Sequence, residues 1–435
     1  MMDYQKISAF ITDKRKQLGM TQADLAKKLN VSFQAVSKWE HGTLPTVEIL
    51  ADLANILGSS VDEILMGQDR SSETFSYSKA GIDISYTDAI KKEMAMYLKT
   101  DDRRVLNGLG PFASLYDIHF PDMPHPVLVL KSEEPGSKQK LAMEYGYSES
   151  ICHDMINHLV NDIAVMGAKP LAVLDTIVCG NAEKDTIKSF IKGMSDACRE
   201  NDCALVGGET SLQPEVVSKG VYILTSSIAG IVSKDNIIDG TQIREGDTVL
   251  AVASNGLHTN GYTLIRLLME KMPQIKLDKI QGETFIEQIM KPHAPYYHAI
   301  QSIIPQQATG QTCSTFGSGT CRNDIHGMAH ITGGGIEGNL SRIIPDGLCA
   351  EIDLAKMKAL PLFRYIKKMG NIDEKEMLST FNCGVGLCIV TDRDAAKEVA
   401  SQMSRHYDCY KIGKIKSGGR KIAFKNHLVF IHSYS

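Results

Sequence analysis

The chain has 435 residues, 43% of them hydrophobic and 23% charged, with a formal net charge of −4. This length exceeds what one hydrophobic core organises, so two or three domains are expected, and the charge gives no global attraction to nucleic acid. No apolar run approaches the roughly 18 residues of a membrane helix, and the polar start MMDYQK lacks a signal-peptide core, so the expected setting is the cytoplasm with no membrane partner.

Residues 1–67 read as short helices with tight turns. Apolar positions in ISAFITDKRKQLG recur at helical spacing, and Thr21 before QADLAKKL and Ser32 before FQAVSKWEHG are N-cap residues. Only Leu29-Asn30-Val31 separates these two helices. The small Ala26 at the crossing, with Val36 and Trp39 facing inward, meets the needs of a helix-turn-helix, and TVEILADLANILGSSVDEIL supplies further helices to close the core. TQADLAKKLNVSFQAVSKWEHG resembles the phage-repressor type of helix-turn-helix domain almost position by position. That resemblance implies a second helix in the major groove, with Phe33, Gln34, Ser37 and Lys38 reading bases and Gln22 contacting phosphate or base. Trp39 would be the structural anchor. A helical bundle used only for protein contacts needs the same pattern. Residues 1–67 carry seven Lys or Arg against eight Asp or Glu. A single copy is therefore expected to bind double-stranded DNA weakly, and a dimer on a palindromic operator to bind better. Residues 68–76, QDRSSETFS, are polar and read as a linker.

From Tyr77 the chain changes character. Strand-like runs (PVLVLK, PLAVLDTIV, GVYILTSSIAGIV, DTVLAVAS) alternate with helical segments (SESICHDMINHLVNDIAVMG, KDTIKSFIKGMSDACREND). The expected class is α+β: a small all-α head, then a two-domain α/β body divided at Asp239-Gly240 into residues 77–240 and 241–435. Ten cysteines, scattered through runs such as TIVCG and GVGLCIV, are expected as buried free thiols.

Several loops carry chemistry. LKSEEPGSKQKLA (130–142) has one glycine among lysines and carboxylates, a phosphate-loop composition with Glu133-Glu134-Pro135 where a flexible turn would be simpler. VGGET (206–210) sets two glycines before Glu209, NGLHTNGY (255–262) sets His258 and Thr259 among asparagines and glycines, and HITGGGIEGNL (330–340) puts three glycines before a helix, where free amides favour an anion. TFNCGVG (380–386) joins an Asn-Cys pair to a further glycine turn. Singly, each also reads as an ordinary tight turn. PQQATGQTCSTFGSGTCRND (305–324) reads as a surface loop or lid, with Cys313 and Cys321 incidental to it.

In order along the chain, SYSKAGIDI, GLGPFASL, HLVNDIAVMGAKPL, LVGGET, GLHTNGYTLIR, HITGGGIEGNL and TFNCGVG resemble the successive motifs of the aminoimidazole ribonucleotide synthetase family, also called phosphoribosylformylglycinamidine cyclo-ligase. The resemblance runs from about Ser76 to Lys414. It implies a homodimer whose amino-terminal halves share a β-barrel, with ATP and Mg2+ beside it. It also implies ATP-dependent ring closure of formylglycinamidine ribonucleotide to aminoimidazole ribonucleotide, in purine synthesis. Carried over by motif, Glu133, Asn161, Asp162 and Glu209 would serve the metal. Gly136, Ser137, Lys138, Gly207, Gly208, Asn260, Thr332, Gly333, Gly334 and Gly335 would hold ATP or phosphate. Asp154 would accept a proton or merely cap a loop, His258 would be the acid or a phosphate donor, and Lys138 would join them in catalysis. The chain departs from the family at Glu133 for aspartate, at Ser137 for threonine, at Ser78-Lys79 for a lysine-aspartate pair, and near Leu212, where a carboxylate is lost. A second reading fits the same residues: a transcriptional regulator whose body senses a nucleotide without turnover.

Overall fold

The computed structural model describes residues 3–69, 89, 93–94, 96–107, 113–123, 125–304 and 324–430. They divide between two units, Met1–Gly81 and Ile82–Ser435. Most of the linker, the Ser78-Lys79 pair and the inserted segment with Cys313 and Cys321 lie outside the described residues.

The first unit is a five-helix head: α1 (Tyr4–Gln17), α2 (Gln22–Lys28), α3 (Phe33–Trp39), α4 (Val47–Leu57) and α5 (Val61–Met66). Thr21 and Asp24 form a reciprocal capping box that starts α2, and Ser32 caps α3 through the Ala35 amide. Short helices of seven residues are marginal alone. They are held here by a dry core of Leu25, Ala26, Val36, Trp39, Leu53 and Ile64. One polar network ties the pair to α1. Arg15 makes a bidentate bridge to Glu40 at 2.5 and 3.0 Å and also donates to the Met20 carbonyl, while Gln22 donates to Glu40 at 2.7 Å.

The body holds two main sheets. The first has the order β1-β4-β2-β3, built from β1 (Pro126–Glu133), β2 (Lys169–Cys179), β3 (Ala204–Leu212) and β4 (Tyr222–Ser233). After β1 come helices α6 (Lys138–Tyr145) and α7 (Ser148–Ala164), and α8 (Lys184–Glu200) links β2 to β3 in parallel. Alternation decides the faces. Val173, Ile177, Leu224 and Ile228 are buried in one core with Met155, Leu159 and Phe190 of the helices. Leu128, Leu130, Leu174 and Ile223 on the other face stay exposed.

The second sheet has the order β12-β9-β11-β5-β10-β8, from β5 (Thr248–Ala253), β8 (Ile325–His330), β9 (Leu348–Asp353), β10 (Val385–Thr391), β11 (Cys409–Ser417) and β12 (Ile422–Lys425). Lys279–Ile280 (β6) and Glu283–Thr284 (β7) form a small ribbon beside it. The eight cysteines among the described residues are free and buried.

The halves of the body meet along a polar stripe on α7. Asp154, Asn157 and Asn161 recur at i, i+3 and i+7, one helix face, and all are buried. Their side chains bond the backbone of residues 293–296 much as a neighbouring strand would. Asp154 accepts from the His293 amide at 2.8 Å, and Asn157 donates to the His293 carbonyl at 2.7 Å. Asn161 donates to the Ala294 carbonyl and accepts from the Tyr296 amide, both at 2.9 Å. This irregular segment thus has its buried backbone groups satisfied without a sheet.

Candidate active site

The turn after β1, the end of α7, the 255–263 loop and the glycine run after β8 converge. Gly136, with φ of +63°, lies 3.6 Å, measured from an ideal Cβ, from the Thr259 carbonyl, and Ser137 Oγ is 3.4 Å from Thr263 Oγ1. An ideal Cβ on Gly333 would lie 3.1 Å from Asn260 Oδ1. Beside these loops opens a cleft of ≈ 1010 Å³ lined by Ser137, Lys140, Thr259, Asn260, Arg266 and Lys276. That is room for a nucleotide-sized ligand; the cleft's hydroxyl, amide and cationic groups suit phosphate, while Glu144, Glu270 and Glu376 balance the charge of Lys140, Arg266 and Lys276.

The expected metal ligands do not form one set. Glu133 and Asp162 come together, their carboxylates bonded to the Lys131 ammonium at 2.9 and 3.2 Å. Burial works against charge on Lys131, but these two carboxylates hold its pKa above the ordinary value. Asn161 is spent on the seam. Glu209 pairs in register with Thr176 on the edge strand β3, while Glu133, Ser226, Asp175 and Gly208 form one row across the sheet. The row spans three inter-strand steps, roughly 14 Å, so Glu133 and the Glu209 backbone are too far apart for one ion.

The catalytic candidates are also placed by packing. Lys138 is completely buried, its ammonium 2.7 Å from Asp154 Oδ2 and 2.7 Å from the Lys291 carbonyl. Burial pushes the lysine down and lifts Asp154 to about 6, and each charge opposes the other's shift. The ammonium therefore faces the seam and not the cleft. His258, at φ of +61° and 1% exposure, has both ring nitrogens without a hydrogen-bond partner among the described residues. An orphaned buried nitrogen of this kind costs on the order of 1–3 kcal/mol. The glycines answer to close approach: a Cβ on Gly208 would strike the Asp175 carboxyl, and one on Gly335 the Leu378 carbonyl. Asn339 closes the Thr332–Gly335 turn, accepting from Thr332 Oγ1 at 3.2 Å and donating to the carbonyls of Gly333 and Gly335. The helix beyond it, Gly335–Leu340, is only six residues long. An ideal Cβ on Gly207 would lie 3.2 Å from Ser114 Oγ.

Sequence reasoning picked out His258 but passed over the histidines around it. His158 lies 3.7 Å from both Glu133 and Asp162, His330 Nδ1 is 2.7 Å from Asp162 Oδ1, and His330 Nε2 is 2.8 Å from His293 Nε2. His293 in turn stacks on His258 with ring centroids 3.9 Å apart. Burial first, then the His330 charge, pushes His158 down to about 4, and burial likewise holds His258 and His293 well below the imidazole range. Burial alone would lift Asp162, but the hydrogen bond from His330 and the surrounding positive groups outweigh it and hold the carboxyl well below the usual range. The His158–Asp162 spacing of one helical turn was readable in NHLVND; His293, inside KPHAPYY, carries no periodic signal.

On the head, Phe33, Gln34 and Lys38 are exposed along one face of α3 and Ser37 is half-buried on it. Gln22 is instead turned into Glu40.

A helix-turn-helix head carried in one chain with a two-sheet body that bears a ligand-sized polar cleft defines a fusion of a DNA-binding type of fold with an α/β enzyme type of fold. Residues 11–64 match the helix-turn-helix family model, residues 128–232 that of the AIR synthase related protein N-terminal domain, and residues 309–426 that of its C-terminal domain. The phosphoribosylformylglycinamidine cyclo-ligase of Methylobacillus flagellatus is 36% identical over 348 residues, 80% of this chain and 96% of that protein. The enzyme of the same name from Bacillus cereus is 34% identical over 340 residues, 77% and 94%. The chain belongs to the phosphoribosylformylglycinamidine cyclo-ligase family. Solved structures share the fold: E. coli HypE (TM-score 0.56, 17% identity, 80% of this chain and 98% of that one), and thiamine-monophosphate kinase of Stenotrophomonas maltophilia (0.54, 16%, 80% and 98%). A HypE in complex with ATP aligns at 0.53 and 17% identity over 81% and 96%.

Proposed function

We propose that the body performs the family's reaction, ATP-dependent closure of formylglycinamidine ribonucleotide to aminoimidazole ribonucleotide, and that the head binds operator DNA. The observation that carries this reading is the convergence of the turn after β1, the 255–263 loop and Thr380 of TFNCGVG on one nucleotide-sized cleft, with Gly333 of the glycine run packed against Asn260. Ser137, Asn260 and Arg266 would hold phosphate there, and Thr259 would orient the ligand by its hydroxyl. The oxygen donors Glu133 and Asp162 suit magnesium, which would screen triphosphate charge when bound once Lys131 swings aside. The exposed Leu128, Leu130, Leu174 and Ile223 give the first sheet an apolar outer face that a second copy would cover, as a shared barrel requires. The exposed Gln34 and Lys38 are the base and phosphate contacts of the head.

One observation favours the second reading, a sensor without turnover: the Lys131 ammonium already neutralises the carboxylates that would take the cation. The deciding experiment is conversion of formylglycinamidine ribonucleotide by the full chain with ATP and magnesium, with an Asp162→Ala, Glu209→Ala double variant as blank. Turnover abolished in the blank supports catalysis. Nucleotide binding without turnover supports the sensor. For the head, gel shifts should find a palindromic site, and fragments bound without any sequence preference refute operator recognition.

A further inference from the structure

We propose that His258, His293 and His330 form a binding site for one first-row divalent ion, zinc by its ligand chemistry, separate from the oxygen donors that would take magnesium. The coordinating nitrogens of these three side chains lie within 4.8 Å of one another, and all three residues are buried. Imidazole suits zinc, copper or nickel, whereas magnesium selects oxygen.

The unpartnered atoms point the same way. Among the described residues, both nitrogens of His258 are buried without a hydrogen bond, so either can coordinate, and the unpartnered Nδ1 of His293 leaves that ring free to carry its hydrogen there. If His330 donates from Nδ1 to Asp162, its Nε2 carries a lone pair directed at His293 Nε2, 2.8 Å away. A carboxylate bonded to the far nitrogen of an imidazole is the usual support of a metal-bound histidine, fixing its tautomer and raising its basicity. Zinc–nitrogen bonds of about 2.0–2.1 Å in a tetrahedron separate ligand nitrogens by about 3.3 Å, so the His293 and His330 rings need part by only about half an ångström. The hydrogen they now share would move to His293 Nδ1, which has no partner among the described residues, leaving Nε2 free for the ion. An ideal Cβ on Gly386 would lie 2.9 Å from His258 Cε1, so a glycine there makes room for the ring. Because Asp162 touches both His330 and Lys131, His330 at the ion would be linked through Asp162 to the end of β1 by two successive contacts.

A rival cluster, Asp247, His326 and Asp392, is already engaged: His326 bonds Asp247 at 2.6 Å and Asp392 bonds Arg244 at 2.6 Å. It supplies the control. The untagged full chain is expressed with zinc in the medium, freed of loose metal by gel filtration, and its metal content measured by mass spectrometry. About one zinc per chain is expected, lost at least tenfold in His293→Gln and in His330→Gln and retained in His326→Gln. The wild-type chain expressed with cobalt should show the intense visible bands of a tetrahedral nitrogen and oxygen site without sulfur charge-transfer bands. This second readout holds even if a glutamine variant fails to fold. Three results overturn the site: no bound zinc after both expression and refolding with the metal, zinc content unchanged in folded His293→Gln, or cobalt bands of a thiolate ligand.

Discussion

The carboxyl of Asp175 is 4% exposed, and its Oδ2 has no hydrogen-bond partner among the described residues. Burial, with the Glu209 charge adding to it, lifts the group from an ordinary 3.8 to about 7. Because the folded state holds this proton more tightly than the unfolded chain, the stabilisation is complete below the unfolded value and is lost as pH rises through about 7. At 1.36 kcal/mol per pH unit, a lift of about 3 units corresponds to about 4 kcal/mol across that window. Asp175→Asn keeps the shape and removes the charge. At pH 4 the variant should be less stable than wild type by about 1 kcal/mol, for an amide left without a partner; above pH 7.5 it should be the more stable by about 3 kcal/mol. The only tryptophan is Trp39, in the head, so urea unfolding of the body is followed by circular dichroism. Taking the difference between the two proteins cancels other titrating groups, Asp154 among them. Curves that run parallel from pH 4 to pH 8 would refute the assignment, because Asp175 would then be ionised throughout.

Asp154→Ala should cost about 3–5 kcal/mol in urea unfolding, since it leaves the Lys138 ammonium buried and unpaired, whereas Asp154→Leu combined with Lys138→Met should recover most of that loss. Arg15→Ala should destabilise the head by about 3 kcal/mol, visible as an early transition in Trp39 fluorescence, because Glu40 is left buried without its guanidinium. Lys131→Ala should tighten magnesium binding about tenfold by calorimetry, as the competing ammonium leaves Glu133 and Asp162 free; unchanged affinity would show that these carboxylates do not hold the ion.

Much of the head was legible because its determinants are local. Thr21 and Ser32 cap the helices they precede, and Val36 and Trp39 bury as their spacing requires. The strands of the body were legible as short apolar, β-branched runs, but which face of them is buried was not, since Leu128 and Leu130 of β1 lie on the exposed side. The site was less so. Residues of a motif tell which loop they occupy but not which way they face: Lys138 and Asn161 sit in motif segments and turn into the seam, and Glu209 is separated from Glu133 by the width of a sheet. The histidine cluster draws on positions 158, 258, 293 and 330, and only the tertiary fold makes neighbours of residues so far apart in sequence.

The stripe of Asp154, Asn157 and Asn161 bears on how the body can be dissected. An amphipathic helix usually advertises its partner by apolar residues, and such a face tolerates sliding. A helix that reads backbone amides and carbonyls one by one does not. Fragments cut near residue 240 would each expose half of this lock, the Asp154 carboxylate and the two carboxamides on one piece and the bare backbone of 293–296 on the other. Expressed apart they should aggregate, and expressed together they should find each other in one register and reconstitute the body without a covalent link.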